Sequence, residues 1–474
     1  MQRLSGVDSA FLYLETPTMH MHIVGVILLD PSSVEGGYSF DGLKRLILSR
    51  LHRIPPFHRR IRMVPFNIEH PYWVQDHKFD VDNHVRRMTI PAPGGKAELG
   101  KLVGEIASTQ LDRSRPLWEI VVIEGLEDGH VALVTKMHHA AADGMASGYL
   151  MLQLLDMSSD MPDFDEPEIF PVDDEPSDAD VLKQALRDRI SDPLRVVSQV
   201  RKTAGRAVDL VKHALEKGTD NFKPVLPFMA PRTMFNRTIS GDRIVAFGSA
   251  PLEDFRMVRR AFGCTVNDVV LTACTGALRQ YLLDHADLPE KALMATCPVS
   301  IRKPEEAADL GNRVSTLFVR LPVHLDDPLE QLSTIANDTG DAKTVHKAMG
   351  AEMLQDWAQL VAPYAFTAAA RAYSRMKLAD KHQPVHNLIV SNVPGPPFDL
   401  YCLGARVVSF YPLGPVLEGA GLNITVVSHK GDMDIGIMAC PLAAPNPNLI
   451  AGYFQQSVAE LRRLAEAKME SDAS

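Results

Sequence analysis

Between Asp156 and Asp180 the chain carries eleven aspartates and glutamates and four prolines, with no lysine or arginine. Like charges at that density repel one another, and proline removes backbone donors, so this stretch cannot build a packed core. It divides the 474 residues into two parts, each long enough to bury a core of its own. It also holds the chain's negative charge: removing these eleven charges from the net −10 leaves the remainder at +1. A pI near 5.9, with no clustered basic surface in view, excludes a general nucleic-acid binder. The near-neutral remainder does not repel an anionic ligand, but a solvated linker that says nothing about ligands is the better account of the acidic stretch on composition alone.

Each part alternates strand-like and helical patterns. In the first, residues 23–29 (IVGVILL) form a short apolar run suited to a buried strand, and 40–51 place Phe40, Leu43, Ile47 and Leu51 on one helical stripe. Residues 117–124 and 130–139 read as two strands around the turn Gly125-Leu126-Glu127-Asp128-Gly129, and 144–155 as a helix. After the acidic stretch a long helix is expected over about 181–217, broken near Pro193, with an apolar stripe from Leu194 to Leu215 and basic flanks. The α/β pattern resumes near Arg232, with strands over 243–247, 293–298, 314–320, 387–391 and 422–428. Helices are expected over 252–261, 266–285, 329–347 and 448–468. The expected organisation is a first α/β half over 1–155, a linker with its helix over 156–231, and a second α/β half over 232–474.

The cysteines (Cys264, Cys274, Cys297, Cys402 and Cys440) are few and odd in number, with no CxxC or zinc-like spacing. They read as reduced thiols filling cores in an intracellular protein. The N-terminus lacks a basic region followed by a long apolar run, and no stretch reaches the roughly 18 apolar residues of a spanning helix. The expectation is a cytoplasmic protein, or one peripheral to a membrane surface, with the stripe at 194–215 packing in a core or docking on lipid.

Several site signatures are missing. There is no G-x-S-x-G elbow and no P-loop, and Gly419-Ala420-Gly421 lacks the third glycine of a dinucleotide fingerprint. What stands out is His138-His139-Ala140-Ala141-Ala142-Asp143-Gly144, placed after an apolar strand and before a helix, where α/β proteins hold ligands. Strand alternation puts His139 on the face of Val131, Leu133, Thr135 and Met137, and His138 on the face of Ala132, Val134 and Lys136. Adjacent histidines so placed diverge and cannot share a metal ion. A neutral imidazole with an ordinary pKa near 6.5 suits the abstraction of a proton from an alcohol. Packing at a strand end is the competing explanation.

The HHxxxDG segment resembles that of the bacterial wax ester synthase/acyl-CoA:diacylglycerol acyltransferase family, within the CoA-dependent acyltransferase superfamily. The resemblance runs in order along nearly the whole chain. It includes Leu4-Ser5-Gly6-Val7-Asp8-Ser9-Ala10-Phe11, Pro116-Leu117-Trp118, Asn267-Asp268, Asn392-Val393-Pro394-Gly395-Pro396 and Gly421-Leu422-Asn423. It implies two chloramphenicol acetyltransferase-like α/β domains joined by a helical linker, with a site where they meet. It departs from the superfamily in lacking a DFGWG element.

The resemblance implies transfer of a long-chain acyl group from acyl-CoA to diacylglycerol or a fatty alcohol, without cofactor or metal, acyl-CoA being a substrate. His139 is then the general base, with His138, Asp143 and Asn267 as its supporting set. Gly144, Asp268, Ser300 and Arg302 are substrate-binding candidates, Arg302 toward a CoA phosphate or toward Asp143. Thr265-x-x-Asp268 also reads as a capping box, which explains the same residues structurally. Alternatives are a condensation-type acyltransferase taking its acyl group from a carrier-protein thioester, and an idle lipid carrier of the same fold.

Overall fold

The computed structural model describes residues 1–142, 152–162, 164, 175–190, 228–301, 312, 314–349 and 363–472. Asp143, Gly144, Arg302 and the stripe over 194–215 lie outside the described residues, as does most of the helix expected over 144–155.

Two six-stranded sheets organise the molecule. The second runs Val314–Leu321, Leu293–Ser300, Leu388–Val393, Leu422–His429, Asp432–Ala439, Ile244–Pro251 from edge to edge. Its three neighbours Leu293–Ser300, Leu388–Val393 and Leu422–His429 pair in parallel, so their carboxyl ends share one edge. Antiparallel Val314–Leu321 begins at that same edge, Val314 opposite Ser300. Helices Leu252–Phe262, Val266–Asp284 and Pro447–Asp472 cover this sheet through Phe255, Val258, Leu278, Ile450 and Phe454, all fully buried. Such burial on a helical stripe is what fixes these helices, since intrinsic propensity contributes little by comparison.

The first sheet runs Tyr401–Cys402, Ala405–Leu413, His22–Asp30, Val131–His138, Trp118–Glu124, Val85–Thr89. Here the expected division into consecutive halves needs amendment. Ala405–Leu413, far along the second half, pairs antiparallel with His22–Asp30 and so belongs to the first sheet. Its pairing partner lies hundreds of residues away and its register shifts between Val407 and Ser409, so local periodicity did not reveal it. Strand Asp432–Ala439 and the helices Gly6–Leu14, Lys96–Ala107 and Pro363–Arg375 are likewise additional to the expected elements.

The borrowed strand joins the two sheets. Tyr411 is buried against Phe247 of the second sheet, ring centroids 4.9 Å apart. The Phe410 backbone N–H donates to Asp434 Oδ2 at 2.8 Å, while Ser249 Oγ donates to Asp434 Oδ1 at 2.5 Å. Backbones pass so closely that a Cβ on Gly436 would sit 2.0 Å from the Pro412 carbonyl oxygen.

Among the described residues no single helix is long and apolar enough to cross a membrane. The bent pair Leu252–Phe262 and Val266–Asp284 has the combined length and composition, but its apolar side chains fill the second core.

Candidate active site

Strand Val131–His138 lies between His22–Asp30 and Trp118–Glu124 and is buried along its whole length. Val131, Leu133 and Met137 enter a core with Leu46, Phe57 and Trp118, and Ala132 and Val134 enter another with Val24, Val103 and Val121. The strand ends at His138, one residue short of the sequence expectation, and His139 starts the loop. The Pro116-Leu117-Trp118 element is structural: Trp118 stacks on Phe57 at 4.1 Å and on His84 at 4.5 Å, and its Nε1–H donates to the Phe57 carbonyl.

The two histidines have different surroundings. His138 is completely buried and its Nδ1 accepts the Ala140 N–H at 3.0 Å. Its proton therefore sits on Nε2, which faces Glu15 Oε2 at 3.5 Å. Burial pushes the His138 pKa down, outweighing Glu15, so the ring is neutral. His22, opposite it on the neighbouring strand, is lowered by burial to about 3. Burial would raise Glu15, but the facing rings of His138 and His22 and the charge of Arg113 prevail and hold it well below the usual carboxylate range. Arg113 Nε donates to its Oε2 at 2.8 Å. His138 thus belongs to a buried polar scaffold.

His139 is half-buried, and its backbone N–H donates to the Met21 carbonyl at 2.7 Å. Its ring stacks on Phe11 with centroids 3.9 Å apart and planes 15° from parallel. Its Nδ1 lies 2.9 Å from Asn312 Oδ1, and Asn312 Nδ2 donates to the His139 carbonyl at 2.7 Å. Asn312 is buried and also bonds Asp8, through Nδ2 at 2.6 Å and its backbone N–H at 2.9 Å. Asp8 belongs to helix Gly6–Leu14, where Ser5 is the N-cap and accepts the Asp8 N–H. Burial raises the Asp8 pKa against the opposing pull of its bonds from Ser5 and Asn312.

Asn312 also locates the rest of the site. It lies two residues before Val314, at the edge of the second sheet that carries the carboxyl ends of Leu293–Ser300 and Leu388–Val393. Both those strands are buried at their starts and become progressively exposed toward that edge, Ser300 being exposed. Asn392, near the end of the second of them, reaches Asn267 Oδ1 through Nδ2 at 3.4 Å. Through Asn312, His139 is tied to the sheet edge that carries Ser300 and Asn392, with Asn267, in the first turn of helix Val266–Asp284, beside Asn392. Gly395 follows Asn392 because a Cβ there would meet the Ser428 carbonyl oxygen at 2.0 Å.

Asp268 has a different place. It completes a capping box with Thr265, its Oδ2 accepting the Thr265 N–H at 2.9 Å, while its Oδ1 accepts from Thr339 Oγ1 at 2.7 Å. Both oxygens are engaged inside the fold, so the structural explanation of this residue accounts for it. The sequence reading missed Asn312, since a lone asparagine ahead of a strand gives no pattern to read. It gave Asp8 and Phe11 no place beside His139, although Ser5-x-x-Asp8 is a helix-start signal with Phe11 one turn further on.

The profile of the wax ester synthase/diacylglycerol acyltransferase catalytic domain matches residues 4–270, and that of the family's C-terminal domain matches residues 310–462. Among curated proteins, one named as a diacylglycerol O-acyltransferase of Mycobacterium tuberculosis is 37% identical over 99% of this chain and 92% of its own length. A second from the same species is 34% identical over 99% and 98%. A solved wax ester synthase/diacylglycerol acyltransferase from Marinobacter aquaeolei VT8 superposes with a TM-score of 0.72 at 27% identity, covering 98% of this chain and all of that one. The first condensation domain of a calcium-dependent antibiotic synthetase shares the fold, with a TM-score of 0.59 at 14% identity over 97% and 96%. With profiles covering most of its length and relatives matching end to end, the chain belongs to the wax ester synthase/diacylglycerol acyltransferase family.

Proposed function

We propose that this protein transfers a long-chain acyl group from acyl-CoA to the hydroxyl of diacylglycerol or a long-chain alcohol, with His139 as general base. The observation that carries the reading is the contact of His139 Nδ1 with an amide oxygen, which leaves Nε2 as the acceptor of a proton. As Nε2 takes the alcohol's proton, the oxygen attacks the thioester carbonyl. The tetrahedral intermediate then collapses and expels the CoA thiolate, which receives that proton from the imidazolium. Asn267 and Asn392 supply side-chain amides at the sheet edge to which Asn312 ties His139, suited to orienting the acceptor or the developing oxyanion.

Direct transfer between the two substrates is favoured over an acyl-enzyme. Burial raises the thiols of Cys297 and Cys402 to about 12, Cys274 and Cys440 are buried, and burial also raises Cys264. The raised thiols of Cys264, Cys274, Cys297 and Cys402 are not activated nucleophiles. The reaction then needs no cofactor. Lipid-dissolved acceptors require access to a membrane or droplet surface, and the basic-flanked apolar stripe at 194–215 has the composition for such contact.

The test offers palmitoyl-CoA with hexadecanol, monoacylglycerol or diacylglycerol and follows esters by mass spectrometry and thiol release by colour. Ester formation with thiol released only when an acceptor is present supports the reading. Release without acceptor, release only from carrier-protein thioesters, or no release at all overturns it.

A further inference from the structure

We propose that Asp8 and Asn312 are positioning residues that lock His139 in its Nδ1–H tautomer, so that the base is completed only when a residue of the second half sits against the first. The inference rests on His139 being the base and adds what makes it one.

The amide of Asn312 has only one consistent orientation. Its Nδ2 lies within hydrogen-bond distance of two oxygens that only accept, Asp8 Oδ1 at 2.6 Å and the His139 carbonyl at 2.7 Å. Turning the amide over would place its oxygen against both of them, so Oδ1 faces the imidazole, 2.9 Å from Nδ1. An amide oxygen can only accept, so Nδ1 carries the proton and Nε2 carries the lone pair. The Asp8 carboxylate holds the amide in turn: its Oδ1 takes two donors from Asn312 and its Oδ2 accepts from Ser5 Oγ at 2.6 Å. Both Asp8 and Asn312 are buried, where hydrogen bonds are strong and an unmatched partner is expensive.

Phe11 fixes the remaining freedom. It follows Asp8 by three residues on the same helix and covers one face of the ring at 3.9 Å, so one helical turn carries both the anchor of the amide and a plate against the imidazole. A ring flip would put a C–H against Asn312 Oδ1 and lose the bond. In a Ser-His-Asp triad the carboxylate touches the imidazole itself. Here a neutral amide stands between the Asp8 carboxylate and the ring and orients the base.

The experiment labels the histidines with 15N in the full chain and assigns His139 by the signals lost in His139→Ala. The inference expects the Nδ1–H tautomer in the natural protein at a pH where the ring is neutral. Asn312→Ala should mix the tautomers and lower kcat per folded molecule 10- to 100-fold, with KM for palmitoyl-CoA changed less than threefold. Asp8→Asn, close in shape, should loosen the tautomer preference and lower kcat by a smaller factor. An Nε2–H tautomer in the natural protein, or variants that keep both tautomer and kcat within twofold, overturns the inference. The spectrum of the natural protein decides the matter even if Asn312→Ala fails to fold. Full turnover in His139→Ala would instead remove the general-base reading while leaving the tautomer measurement intact.

Discussion

Glu15 faces His138 and not His139: its Oε2 lies 3.5 Å from His138 Nε2 and accepts from Arg113, while the His139 ring is held by Asn312 and Phe11. Neighbours in sequence, the two imidazoles belong to different environments. His139→Ala should lower turnover per folded molecule by roughly 10²–10⁴, the usual contribution of a positioned base, with little change in thermal stability. His138→Ala should instead cost stability, about 1–3 kcal/mol from the stranded Ala140 N–H and the space left behind, with near-normal turnover in the folded fraction. Circular dichroism with thermal melting, beside kcat on the same preparations, separates the two.

The Glu15–Arg113 pair gives a pH-dependent effect of defined sign. Glu15 is held below the usual carboxylate range, so it contributes stability at neutral pH that is lost as pH falls through the acid range. Arg113 is partly exposed, so Glu15→Gln should cost about 2 kcal/mol at pH 7, less than the removal of one partner from a fully buried pair. The difference from the natural protein should shrink toward pH 4. Urea midpoints across that range measure it, and a difference independent of pH would contradict the assignment.

Asp434 has the opposite sign. Burial pushes its carboxyl up to about 6, with Asp432 adding to the rise and Ser249, the Phe410 N–H and Lys96 opposing it. A carboxyl raised on folding contributes most stability at low pH and loses it as pH climbs through the folded value. Asp434→Asn keeps an oxygen for the Phe410 N–H and an amide N–H for Ser249. Its stability relative to the natural protein should improve by about 1 kcal/mol between pH 5 and pH 8, read from denaturant midpoints.

The joint between the sheets leaves no room for a methyl group. Gly436→Ala would bring Cβ to 2.0 Å from the Pro412 carbonyl oxygen, a backbone atom that cannot swing aside. The strand must shift, at about 3 kcal/mol or more. Because the shift pries Ala405–Leu413 from the second sheet, activity should fall further than the folded fraction explains, measurable as kcat per folded molecule.

The alternating α/β character and most strand and helix positions are legible in the sequence alone, because each depends on local periodicity; the separate surroundings of His138 and His139 are not, since the strand ends between them. IVGVILL forms a strand and Thr265-x-x-Asp268 starts a helix whatever surrounds them. The motif order also identified the family. Tertiary structure alone decided what no periodicity encodes. Ala405–Leu413 joins a sheet begun by His22–Asp30, since hydrogen bonds across an edge are chosen by whichever strand is delivered there. Asn312 reaches His139 and Asp8 across 173 and 304 residues of chain, because its position at a sheet edge, and not its sequence neighbours, sets its contacts. The histidine is legible as a candidate base from its motif; the atom that carries its proton is fixed by an asparagine that only folding brings near.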